Sequence, residues 1–177
     1  MTARMTARMT ARTGYSRAQI ILHWVVVGLI GVQLVLNDGM QQAFDDRMSG
    51  RASADGAWAA LHIALGIGVV ALAALRLALR LTRGAPPPPK GNPALVTWAG
   101  MLTHLALYLL MFAMPLTGAI AWFGHDEIAA ELHEYGRLLL IALIGLHALG
   151  ALAEHFVLGH DTMWRMFRAE ASLRRKP

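Results

Sequence analysis

The sequence predicts an all-α integral membrane protein, a four-helix bundle with both termini in the cytoplasm. Three observations predict it. Apolar residues make up 56% of the 177 residues and charged residues only 15%, with a mean hydropathy of +0.45; ordinary soluble domains are about a quarter charged. Four apolar segments are each long enough to cross roughly 30 Å of hydrocarbon, which takes about 20 helical residues. Acidic and basic residues alternate in the segments between them.

The N-terminus, MTARMTARMTAR, repeats a polar tetrapeptide three times and offers three methionines, Met1, Met5 and Met9, as starts. Residues 1–16 are expected to form a disordered tail. No small-residue cleavage site follows the first apolar run, so a cleaved signal peptide is not expected. The first span runs from about Ile20 to Leu36 and the second from about Ala57 to Leu81. The third runs from about Leu95 to Phe123, and the fourth, which starts on polar residues, from about Leu132 to Leu158. Each is helical because backbone groups in lipid must bond within their own segment. Pro115 falls inside the third span and predicts a kink. Pro86 to Pro89 stiffen the loop between spans two and three as a polyproline II spacer. Residues 17–168 thus form one domain, and residues 169–177 a basic tail.

Orientation follows from the flanking charges. Arg4, Arg8, Arg12 and Arg17 precede the first span, and Arg76, Arg80, Arg83 and Lys90 end the second. Arg165, Arg168, Arg174, Arg175 and Lys176 follow the fourth, which places thirteen of the sixteen basic residues on one side. The other side holds Asp38, Asp45, Asp46, Asp55, Asp126, Glu127, Glu131 and Glu134 against Arg47, Arg51 and Arg137. The basic side is cytoplasmic by the positive-inside rule. These charges flank apolar runs and form no patch with interleaved aromatics, so the net charge of +5 points to membrane topology and not to nucleic acid.

Cysteine is absent. That excludes disulfides, iron–sulfur clusters, thiolate haem ligation and thioether haem attachment. The chemistry-bearing residues are histidines. His133 and His147 lie on one helix, 14 residues apart, which separates them by about 21 Å along the axis and about 40° around it. His62 enters the second span from the periplasmic side, at the depth of His133. His23 enters the first from the cytoplasmic side, near the depth of His147. Ionisable residues within spans are rare and usually functional. Two imidazole pairs at two depths suit the axial ligands of two six-coordinate haems, a coordination that favours electron transfer over oxygen chemistry. A single such histidine can equally serve as a helix–helix hydrogen bond or an interfacial anchor.

His104 lies near the depth of the cytoplasmic pair. It can replace His23 or His147, bond a propionate or line a quinone pocket. His125 and His160 are expected to be solvated, and His155 and Glu154 to lie at the cytoplasmic boundary. Gly66 follows His62 by one turn, and Gly136 and Gly150 follow His133 and His147 by three residues. Such clearance admits a flat porphyrin or simply close helix packing. Arg76 and Arg137 are placed to meet haem propionates or to snorkel to headgroups.

Four segments then resemble the bacterial cytochrome b561 family: GYSRAQIILHW around His23, LHIALGIGVVALAALRLALRL around His62, LTHLALYLLMFAMPLTGAIAW in the third span, and IGLHALGALAEH around His147. The match runs in order from Gly14 to about Arg168. It implies a cytoplasmic-membrane oxidoreductase holding two haem b groups on His23, His62, His133 and His147. Some members take an electron from periplasmic superoxide and deliver it to ubiquinone; others are haem-bearing anchors for partner redox enzymes. The acidic periplasmic side departs from what capture of an anion favours. A haem-free histidine relay in a transporter is the reading of a different class, and it predicts a colourless protein.

Overall fold

A computed structural model describes residues 14–52 and 56–169. The expected tail up to residue 13 and the basic tail from residue 170 lie outside the described residues. Five α-helices follow one another: α1 (Arg17–Val35), α2 (Asn37–Met48), α3 (Gly56–Arg83), α4 (Ala94–Gly124) and α5 (Glu127–Phe156), with a 3-10 turn at Trp164–Met166. There is no strand among the described residues. Helices α1, α3, α4 and α5 are the four that are long and apolar enough to cross a membrane.

Local sequence sets the helix ends. Ser16 opens α1 through a capping box: its hydroxyl accepts from the Gln19 N–H at 3.3 Å, and the Gln19 carbonyl oxygen accepts from the Ser16 N–H at 3.0 Å. Gly84 ends α3 with φ +75°, a conformation glycine adopts without steric cost. The Asp126 side chain caps α5 by accepting from the Ala129 N–H at 2.8 Å. That cap starts α5 at Glu127, five residues before the apolar run that marks it in the sequence.

The segment between the first two spans is a helix and not the open loop its polar sequence suggests. The chain bends at Leu36 and continues as α2, which packs on α3. Gly39 makes the approach possible: a Cβ there would meet the Trp58 side chain at 3.1 Å. Ala43 is fully buried, and Asp46, also buried, pairs with Arg51 at 2.9 Å. At the opposite face, Gln19 donates to the Gly84 carbonyl and Trp24 to the Met166 carbonyl. Arg165 donates to the Pro87 carbonyl, and Asn92 to Glu154. The start of α1, the end of α3, the start of α4 and the end of α5 therefore share one face, called terminal here; α2 lies at the distal face.

Packing is uneven. α4 lies along α5, α1 along α3 and α3 along α4, whereas α5 stands off from α1 and α3 with only sparse backbone approach. The apolar core, Val26, Val69, Ala73 and Met111, sits between α1, α3 and α4. No large side chain is fully buried among the described residues, while leucine, isoleucine, valine and tryptophan side chains along all four long helices are exposed. That inversion suits a surface solvated by lipid. Ala73 is wholly buried in this core. Ala73→Leu is expected to overpack it by about 1–3 kcal/mol, read as a lowered melting temperature of the detergent-solubilised protein.

Candidate functional site

The gap along α5 brings together the four histidines singled out by sequence. His62 of α3 and His133 of α5 face each other with ring centres 6.2 Å apart and planes inclined by 64°. His23 of α1 and His147 of α5 repeat the arrangement at 6.2 Å and 65°. Two imidazoles binding opposite sides of one metal should show that spacing. A metal–nitrogen bond of about 2 Å plus about 1.1 Å from nitrogen to ring centre, taken twice, gives about 6.2 Å. Among the described residues no group of three or more His, Asp or Glu side chains could hold a bare metal ion. Pairs without further ligands suit an iron whose other positions a porphyrin fills.

The two pairs differ in what holds them. His133 Nδ1 lies 2.8 Å from the Met114 carbonyl of α4 and 3.3 Å from the Thr117 hydroxyl. A carbonyl only accepts, so Nδ1 carries the proton and Nε2 keeps its lone pair. Gly118 lets the ring lie against α4: a Cβ there would stand 3.0 Å from His133 Cε1 and 3.1 Å from Nδ1. Across the pair, His62 Nδ1 is buried without a hydrogen-bond partner. The His62 backbone carbonyl accepts from Gln33 Nε2 of α1 at 2.9 Å, and Gly66 leaves room for that amide, 3.4 Å from where its Cβ would be.

At the terminal pair, His23 Nδ1 lies 3.0 Å from a guanidinium nitrogen of Arg76. Arginine only donates, so here Nδ1 accepts. His104 packs on His147 with ring centres 5.0 Å apart and interacts with the Gly100 backbone. That separation is shorter than two ligands across one iron need. Tyr15 lies beside this end of the bundle, within the fields of Arg80, Arg165 and Arg76; burial pushes its phenol up despite them, so it stays neutral.

Other expected site residues take separate roles. Arg137 is paired with Glu134, one turn away on α5, and Glu134 also accepts from Gln41 of α2. His125 is exposed and closes α4 in a left-handed conformation. His160, expected to be solvated, is half-buried: its Nδ1 is sealed from solvent, and its carbonyl lies 2.8 Å from His155 Nδ1. The chain folds back after α5, which places it under the terminal face. A Cβ at Gly136 would run into the Met114 sulfur, whereas Gly150 has open space around it. Sequence reasoning missed Gln33, Met114, Thr117 and Gly118. Gln33 and Thr117, polar residues inside apolar spans, were the detectable signals.

Residues 14–169 match the family described as prokaryotic cytochrome b561. The chain is 32% identical to a cytochrome b562 of Cereibacter sphaeroides, over 88% of this chain and 96% of that protein. It is 31% identical to a probable superoxide oxidase, CybB, of Yersinia pestis, over 86% of this chain and 94% of that one. A cytochrome b561 homologue of Escherichia coli is 26% identical over 63% of this chain and 71% of its own length. The paired imidazoles, the four long apolar helices and this match along nearly the whole chain place the protein in the prokaryotic cytochrome b561 family, as a multi-pass bacterial membrane haem cytochrome of electron transfer.

Proposed function

We propose that the chain holds two haem b groups, one between His62 and His133 and one between His23 and His147. It then carries electrons across the cytoplasmic membrane between a donor at the distal face and the quinone pool. The observation that carries this reading is the equal 6.2 Å spacing of the two histidine pairs, each spanning the gap beside α5. The terminal face gathers the basic residues and is read as cytoplasmic, with both chain ends, which makes the distal face periplasmic.

Bound haem b would supply a reversible one-electron iron couple, and the two histidine pairs would be the residues that hold it. The side chains set the rest. His133 presents a lone pair at Nε2 because Met114 holds its proton at Nδ1. His23 needs the opposite change: its proton must move to Nδ1, and Arg76 must turn from that nitrogen to an anion. A haem propionate is such an anion, and this gives Arg76 its place in cofactor binding. Arg137, though paired with Glu134, is the basic residue one turn from His133 and serves the distal propionates in this reading. Gly66, one turn after His62, leaves room for the Gln33 amide that holds the His62 carbonyl.

A relative named as a probable superoxide oxidase brings superoxide forward as donor. The distal surface bears on that. Arg51 pairs with Asp46 and Arg137 with Glu134, and Arg47 stacks on the Trp122 ring at 4.8 Å. With its arginines so engaged, this face repels anions, a field that favours a cationic redox-protein donor over superoxide.

The test is the haem-to-protein ratio and the reduced-minus-oxidised spectrum of the detergent-purified chain. Two haems per polypeptide with a low-spin b-type spectrum are expected. A ratio that saturates at one, or a pigment-free preparation made with ample haem supply, would overturn the reading.

A further inference from the structure

We infer that the Met114–Gly118 segment of α4 is a cradle that positions His133 and tunes the distal site, with Thr117 and Gly118 as positioning residues. The inference rests on the reading of His133 as a haem ligand. Pro115 lacks an N–H and so gives the Met111 carbonyl no helical donor, loosening this turn of α4. Thr117 adds a side-chain bond in the following turn: its hydroxyl lies 3.0 Å from the Ala113 and Met114 carbonyls. The hydroxyl has one proton for those carbonyls, and a lone pair faces His133 Nδ1 at 3.3 Å. Nδ1–H thus points at two acceptors from one turn of a neighbouring helix, the nearer at 2.8 Å.

Gly118 supplies the third contact. A methyl group there would stand 3.0–3.1 Å from two ring atoms of His133, so the ring would have to give by a few tenths of an ångström. These three features fix the ring's depth, tilt and tautomer from outside α5. Acceptors at Nδ1–H increase the electron density at Nε2, and a more basic ligand stabilises oxidised iron. The terminal site lacks this device, since His23 Nδ1 faces the donor Arg76. Only the distal ligand His133 therefore has backbone and hydroxyl acceptors already set behind its outer nitrogen.

The experiment is a potentiometric titration of the purified holoprotein, following both haems, in Thr117→Val, Thr117→Ser and Gly118→Ala, with His133→Ala to assign the distal signal. Thr117→Val and Gly118→Ala are expected to retain two haems and to shift only the distal midpoint potential, upward, with a changed low-spin EPR signal from that haem. Thr117→Ser should restore the parent value. If Thr117→Val keeps both haems with both potentials unchanged, the cradle has no tuning role and the inference falls, while the ligand assignment stands. If His133→Ala keeps both haems, the ligand reading itself falls. Selective loss of the distal haem in Gly118→Ala supports the cradle, and Thr117→Val then decides the tuning.

Discussion

His62→Ala is expected to purify with one haem per chain instead of two, having lost the distal haem and kept the terminal one. His62 sits on α3, opposite His133 of α5. No substitute is poised to replace it, because His125, the other distal histidine, is exposed at the end of α4. His133 stays anchored to the Met114 carbonyl in the variant, so the remaining imidazole offers iron one bond where the parent offers two. The terminal pair lies about 21 Å further along α5, beyond the reach of local repacking. Haem content by pyridine haemochrome against protein mass decides the matter. Two haems retained would refute His62 as a ligand.

His147→Ala is expected to remove the terminal haem, even though His104 lies beside the vacated position. The ring of His104 packs against His147 with centres 5.0 Å apart and is drawn to the Gly100 backbone. It therefore flanks His147, too close to it for those two rings to share one iron. His104→Ala, by contrast, should keep both haems. If His147→Ala holds two haems and only the double variant with His104→Ala loses one, His104 has taken the ligand position, and the pairing drawn here at the terminal face is wrong.

Much of the fold could be read from the chain because lipid imposes a simple rule. Long apolar runs must be helices, and α1, α3 and α4 begin and end within a few residues of the runs that mark them. α5 begins earlier because Asp126 caps a polar first turn that carries no apolar signal. α2 escaped because its residues are polar almost all round; its cohesion comes from Gly39 against Trp58 and from buried Ala43, contacts made with α3 and not within the helix. Depth along the spans was enough to pair His62 with His133 and His23 with His147. Which groups lie behind His133 was not legible, since Met114, Thr117 and Gly118 reach it from another helix at a separation of 15–19 residues. The bond of Arg137 to Glu134 was within reach of sequence reasoning, because residues three apart on a helix are neighbours.

The absence of any large, wholly buried side chain among the described residues bears on how the protein matures. Five of the nine buried apolar residues among those described are alanines, which contribute little cohesion of their own. A cofactor that binds only the assembled bundle adds its affinity to the bundle's stability. Pigment supply and protein lifetime are thereby tied together: chains made during haem starvation would be the loosest in the membrane and the first taken by quality-control proteases.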